Sequence, residues 1–148
     1  MADSIQKRVL DYVMTALAAP GAPGVAYRTR TESFSTVEMP ACNVYPLRGA
    51  PYDADDTVET LAQRVPFAVV LMASATSAVD VVLDPLFVWV CQRILADPTL
   101  GGLVLDTMLE GWDWSFPPAD TDLSSCMMTF TALLAVQRAD PTASGLNQ

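Results

Sequence analysis

Leu95-Ala-Asp-Pro-Thr-Leu-Gly-Gly-Leu103 reads as a stop between a helix and a strand, and it sets the order of everything around it. Before it lies an apolar, helix-compatible run with Leu86, Phe87, Val88, Trp89, Val90, Ile94 and Leu95. After it comes an extended-looking segment, Leu103 to Glu110. Proline donates no backbone hydrogen bond and disfavours helical geometry at the residue before it, so Asp97-Pro98 ends the helix. Gly101-Gly102 then supplies backbone freedom for a turn, with at least one glycine expected at positive φ.

Working outward toward the N-terminus, Ser77 is placed to cap a second helix, with Asp80 in its first turn. Pro85 interrupts that pattern. Either the helix kinks there, or a short turn precedes a main helix with Asp84 as N-cap and Pro85 in its first position; the second is favoured. Ser4 is a fitting N-cap for a first helix, along which Ile5, Val9, Tyr12, Val13, Ala16 and Leu17 recur at helical spacing. Ala18 to Gly24 reads as a loop. From Val25 to Phe34, Val25, Tyr27, Thr29 and Thr31 alternate with Ala26, Arg28 and Arg30, a half-exposed strand with the arginines outward. A second strand fits Pro40 to Pro46. A third runs from about Val58 to Ala73, where Pro66 predicts a bulge or an edge position.

Toward the C-terminus, two more strands fit Leu103 to about Phe116 and Leu123 to about Arg138. The order is α-β-β-β-α-β-β. Long crossovers are few, so the sheet is expected to be mostly antiparallel, about five strands packed on two helices as an α+β domain. That domain covers 1–138, and 139–148 reads as a polar tail. A chain of 148 residues buries roughly 70% of its extended surface on folding, enough to need neither disulfide nor metal.

Composition narrows the function classes. Hydrophobic residues make up 51% of the chain, which fits either a large core or apolar surface held for partner subunits. The net charge is −9 and unevenly placed. Residues 1–50 carry Lys7, Arg8, Arg28, Arg30 and Arg48 against Asp3, Asp11, Glu32 and Glu38. Residues 94–148 carry only Arg138 against Asp97, Asp106, Glu110, Asp113, Asp120, Asp122 and Asp140. That acidic half argues against gripping nucleic acid, which requires clustered cations. Cys42, Cys91 and Cys126 are odd in number, far apart and set among apolar neighbours, so they read as reduced core thiols rather than disulfides or zinc ligands. No signal peptide or membrane-spanning run is apparent, and a reducing cytosol is the expected folding compartment.

Histidine is absent, which removes the commonest general base and the commonest transition-metal ligand. No phosphate-binding loop appears. Asp53, Asp55 and Asp56 lie close together, but the glycine and glutamate of a calcium loop are missing, so a solvated loop is expected there, as at Asp120 and Asp122. No catalytic, metal or cofactor residues are therefore assigned. Trp112, Trp114 and Phe116 fall at strand period. Counted from Leu103, Leu105 and Leu109 they face away from the helices, as a partner-binding surface. A bulge at Gly111 flips that parity and returns both tryptophans to the core. Arg28 and Arg30 are either a solvated face or partners for a neighbouring subunit's acidic surface.

A helix ending in Leu-Ala-Asp-Pro-Thr-Leu-Gly-Gly-Leu, followed by a strand and then by a last long strand ending in Arg138-Ala-Asp-Pro141, resembles the tail terminator, or tail completion, proteins of long-tailed bacteriophages. The likeness covers most of the chain through element order, and its local wording is concentrated in 95–106 and 123–141. It implies an α+β fold and a structural virion protein without catalysis. Such proteins form a ring, generally hexameric, on the head-proximal end of the tail tube. The implied partners are further copies of the chain, the tail tube protein and a head-side connector; genome DNA passes through the lumen unbound, and assembly takes place in the host cytoplasm. Arg28, Arg30, Trp112, Trp114 and Phe116 are the subunit-interface candidates read from the residues themselves. The alternatives are another phage neck or tail-tube component, or a small-molecule enzyme or ligand-binding domain using a carboxylate or cysteine.

Overall fold

The computed structural model describes residues 2–35, 38–51, 60–74, 78–116, 123–137 and 139–144. Its elements are α1 (Ile5–Leu17), β1 (Val25–Arg28), β2 (Ala41–Pro46), β3 (Ala50–Pro51), β4 (Thr60–Ser74), α2 (Val79–Leu95), β5 (Asp106–Ser115), β6 (Leu123–Gln137) and β7 (Asp140–Ser144). The protein is α+β, with the helices on one face of a sheet ordered β1-β2-β4-β6-β5. Every pairing is antiparallel except β1 with β2. Two short strands extend the expected five: β3 beside β4, and β7 beside β6.

Helix α1 begins where the sequence places it. The Ser4 hydroxyl accepts the Lys7 N–H at 3.1 Å, which satisfies one of the free donors of the first turn. Ile5, Val9, Leu10, Val13 and Leu17 then form its buried stripe. The far end is held by α2. Trp89 donates its indole N–H to the Leu17 carbonyl at 3.4 Å, and Arg93 donates from Nε to the Ala16 carbonyl at 2.9 Å.

Helix α2 departs from the favoured expectation. It starts at Val79 and runs through Pro85, so Asp84 is not its N-cap. Ser77 lies outside the described residues. The apolar stripe explains the continuity: Val79, Leu83, Leu86, Val90 and Ile94 are all buried on one face that spans the proline, while Pro85 itself is exposed. Burying Val79 and Leu83 extends the helix past the point where local propensity would stop it.

The core lies between the helices and one sheet face. That face carries Cys42 and Val44 from β2, Phe67, Val69 and Leu71 from β4, and Met128, Phe130 and Leu134 from β6. The two long strands pair without a slip from Thr60↔Gln137 to Ser74↔Leu123. At their middle Phe67 and Phe130 stack with centroids 5.4 Å apart, a cross-strand pair of the kind that fixes register. Pro66 sits inside β4 yet at a local edge. Its carbonyl accepts from the Leu47 N–H at 3.0 Å, so its nitrogen also points away from β6, toward the gap between β2 and β3. The missing donor therefore costs the β4–β6 ladder nothing.

The stretch read as a polar tail is ordered in part. Asp140–Ser144 forms β7. The Asp140 carboxylate accepts from the Thr142 N–H at 3.0 Å and hydroxyl at 2.6 Å. Arg8 of α1 holds the Thr142 carbonyl at 2.6 Å. The anchoring cation lies 134 residues away in sequence, which is why composition alone left this segment loose.

Candidate functional site

Strand β5 is an edge strand, paired only with β6 among the described residues. Its register slips between Leu109, opposite Phe130, and Gly111, opposite Thr129, so Glu110 is the extra residue of a bulge. Beyond it Trp112 faces Met128 and Trp114 faces Cys126, both residues of the helix-side core. The bulge is thus present, and it turns both tryptophans toward the helix layer.

Neither ring is swallowed by that layer. Trp112 remains 56% exposed and Phe116 64% exposed, because the sheet runs out at β5 and α2 covers only part of it. Trp112 meets Phe87 of α2 edge to face, with centroids 5.6 Å apart. Half-buried Trp114 lies parallel to Phe116 at 6.1 Å. The expected trio is therefore brought together, with Phe87 added, as an aromatic ridge along a free sheet edge. Val81, Val82 and Val88 are exposed elsewhere on α2. Glu110, Asp113 and Asp106 are exposed along the same strand.

The arginine candidates are arranged differently from the alternating strand expected over 25–34. Strand β1 ends at Arg28, because Thr29 adopts φ +48°. Arg28 reaches back to α1 and pairs with Asp11, which also meets Lys7 at 3.2 Å. Those two bonds, Arg28 first, hold the Asp11 carboxyl below the usual range. Arg30 grips Glu38 with two bonds of 3.0 and 3.1 Å, donates to the Ser33 carbonyl at 3.1 Å, and lies over the Phe34 ring at 4.2 Å. The guanidinium, helped by the Ser35 N–H, holds the Glu38 carboxyl low. Asn43 fastens the backbone of Arg30 from both sides, at 3.0 and 2.9 Å. Both arginines thus serve contacts within the chain.

At the opposite edge of the sheet, a groove of about 780 Å³ runs between the end of α1, β1 and the loop before β2. Ala18, Ala22, Pro23, Val25, Met39 and Pro40 are among its walls. Gly24 lets the chain close up here, since a Cβ at that position would lie 2.9 Å from the Pro40 carbonyl oxygen. The one carboxylate in the groove, Glu38, is the partner of Arg30.

The thiols lie apart from both features. Burial pushes Cys42 up to about 12 and, with Asp113 nearby, Cys126 up to about 11. Burial raises Cys91 as well. All three are unpaired, and the protonated form is favoured at neutral pH. Among the described residues no group of acidic or thiol side chains converges as a metal site, and no helix is long and apolar enough to cross a membrane. Asp53, Asp55, Asp56, Asp120 and Asp122 lie outside the described residues.

No family model matches the chain, and no curated protein matches it. Among solved structures, the chain is similar to one described as the virion of a native gene transfer agent particle, with 12% identity and a TM-score of 0.44 over 88% of this chain and 93% of that one.

Proposed function

We propose that this chain is a structural virion protein without catalytic activity, and more specifically a phage tail terminator. In this reading, copies close as a ring on the head-proximal end of the tail tube, stop its growth and present a surface to the head-side connector. The observation that carries the reading is the aromatic ridge on the free edge of β5. Large aromatics on an unpaired sheet edge are costly to leave in water and are the usual anchors of protein contacts. The resemblance in 95–106 and 123–141 supplies the class of assembly. The sheet face away from the helices adds to it. No helix covers that face among the described residues, and Asp106 and Asp113 stand on it opposite Leu133 and Met127, with Arg64 across from Leu133 on the other side, which leaves a small acidic excess. An acidic face turned to the lumen would let DNA slide without sticking.

Deleting the gene tests this. Tube polymerisation draws on the tube protein's own interfaces, so loss of a terminator leaves tails abnormally long or unjoined to heads in electron micrographs of lysates. Normal tails joined to heads would refute the assignment. Native mass measurement at micromolar concentration and on isolated tails is expected to find a ring-sized species of about six copies. A strict monomer in both settings would refute ring formation.

A further inference from the structure

Among the described residues, two apolar features lack partners, and they sit at opposite edges of one sheet. The first is the ridge of Trp112, Trp114 and Phe116 at β5. The second is the groove at β1, walled by alanine, proline and valine. The first projects and the second recedes. Both belong to the helix side of the sheet: the tryptophans through their register with Met128 and Cys126, the groove through Leu17 and Ala18 at the end of α1.

We infer that the occupant of the groove is the aromatic ridge of a second copy of this chain. The contact is heterologous, edge β5 of one copy against edge β1 of the next. It rests on the self-associating reading above and deepens it by naming the two surfaces. Three observations support this match over a contact of either surface with itself. Ridge against ridge would oppose Glu110 and Asp113 to their own copies, with no cation in residues 94–137 to separate them. Groove against groove would leave a void between two concave walls. Ridge into groove brings Glu110, the exposed bulge residue of β5, toward Arg93, which is exposed beside the end of α1. Arg93 has no carboxylate within ion-pair distance among the described residues.

The areas allow such a contact without filling it. Full burial of an aromatic side chain covers ~150–250 Å², and with 56% of Trp112 and 64% of Phe116 still exposed the two supply roughly a quarter to a third of the ~800 Å² per partner that a stable contact needs; the rest of the β5 and β1 edges must supply the remainder. A projecting patch that fits a recess elsewhere on the same molecule produces head-to-tail growth, which closes into a ring when the rotation per copy allows it.

Cysteine cross-linking between labelled copies tests the match. Copies carrying Phe116→Cys are mixed with copies carrying Ala22→Cys and oxidised at micromolar concentration, with the unmodified chain as baseline. Disulfide-linked mixed dimers are expected, and Phe116→Cys with Ala22→Cys in one chain should give a ladder of linked copies. Predominance of Phe116→Cys homodimers would overturn the proposal in favour of a two-fold contact. Absence of mixed dimers while the same sample keeps its ring-sized mass would overturn the named surfaces and leave the ring standing. Absence of any ring-sized species from the unmodified chain, in solution and on tails, would remove the underlying reading. In a separate arm, Trp112→Ala with Phe116→Ser should weaken association by at least ~10-fold, with an unchanged circular dichroism spectrum. Unchanged association there would also overturn the proposal.

Discussion

At the residue scale, the turn after α2 concentrates the strain. Leu100, Gly101 and Gly102 follow one another at φ +49°, +71° and +87°. Leu100 is fully buried, and that burial offsets its left-handed backbone. A Cβ on Gly101 would lie 3.3 Å from the Tyr12 ring, whereas one on Gly102 would meet nothing within 4 Å. Gly101→Val and Gly102→Val are each expected to cost about 1–2 kcal/mol in urea denaturation, with the larger loss at Gly101; equal melting of both with the parent would refute the turn. The Asp97 carboxylate gathers the same turn, accepting from the Thr99 hydroxyl at 2.6 Å and from the Thr99 and Gly101 N–H groups at 3.0 Å each. Those bonds, the hydroxyl first, lower its pKa from 3.8. A carboxyl depressed in the folded state contributes stability above its unfolded pKa and loses it as pH falls through the folded value. Asp97→Asn should therefore narrow the gap between stability at pH 7 and below pH 3.8, which acid titration of the melting temperature reads directly. A thiolate-directed reagent at pH 8 is expected to label Cys91 well before Cys42 or Cys126, since the latter two are fully buried and hold their protons more tightly.

At the element scale, α2 contains a removable fault. Pro85 withholds an N–H from the carbonyl four residues earlier, and a proline in a helix interior costs up to ~3 kcal/mol against alanine. Because Pro85 is exposed and the buried stripe already spans it, Pro85→Ala should raise the melting temperature; a fall would mean that the proline holds a kink the packing needs. The same helix shows what sequence reading reaches. Its end was legible, because Asp97-Pro98 and the glycines act on their own neighbours. Its start was not, because Val79 and Leu83 are recruited by the core. The strand after it begins at Asp106 rather than Leu103, since the turn consumes the intervening residues. Ser4 and the stripe of α1 were legible for the same local reason. The bulge in β5 was one of two readings, and only pairing with β6 separates them. Arg30 misled because alternation predicts direction but not what awaits the side chain: Glu38 returns from the next loop. Phe87 was missed as a site residue because its meeting with Trp112 exists only once α2 lies on the sheet.

At the scale of the whole molecule, Arg28 and Arg30 tie separate elements of the chain together. Charge reversal by Arg28→Glu with Arg30→Glu is expected to act within the chain. It would set one new carboxylate against Asp11 and another against Glu38, where ion pairs now stand, so the loss should show first as a lower melting temperature of the monomeric unit. Loss of ring mass with unchanged melting would point instead to an intersubunit role. The unbroken β4–β6 pairing has a mechanical consequence. Its fifteen registered positions share a force applied along the strands, whereas a force applied across one end opens them one pair at a time. Pulled from Gln63 and Ser125, at opposite ends of the pair, the domain should rupture at clearly higher force than when pulled from Met72 and Ser125, which face each other. The domain is therefore expected to be stiff along β4 and β6 and compliant across them.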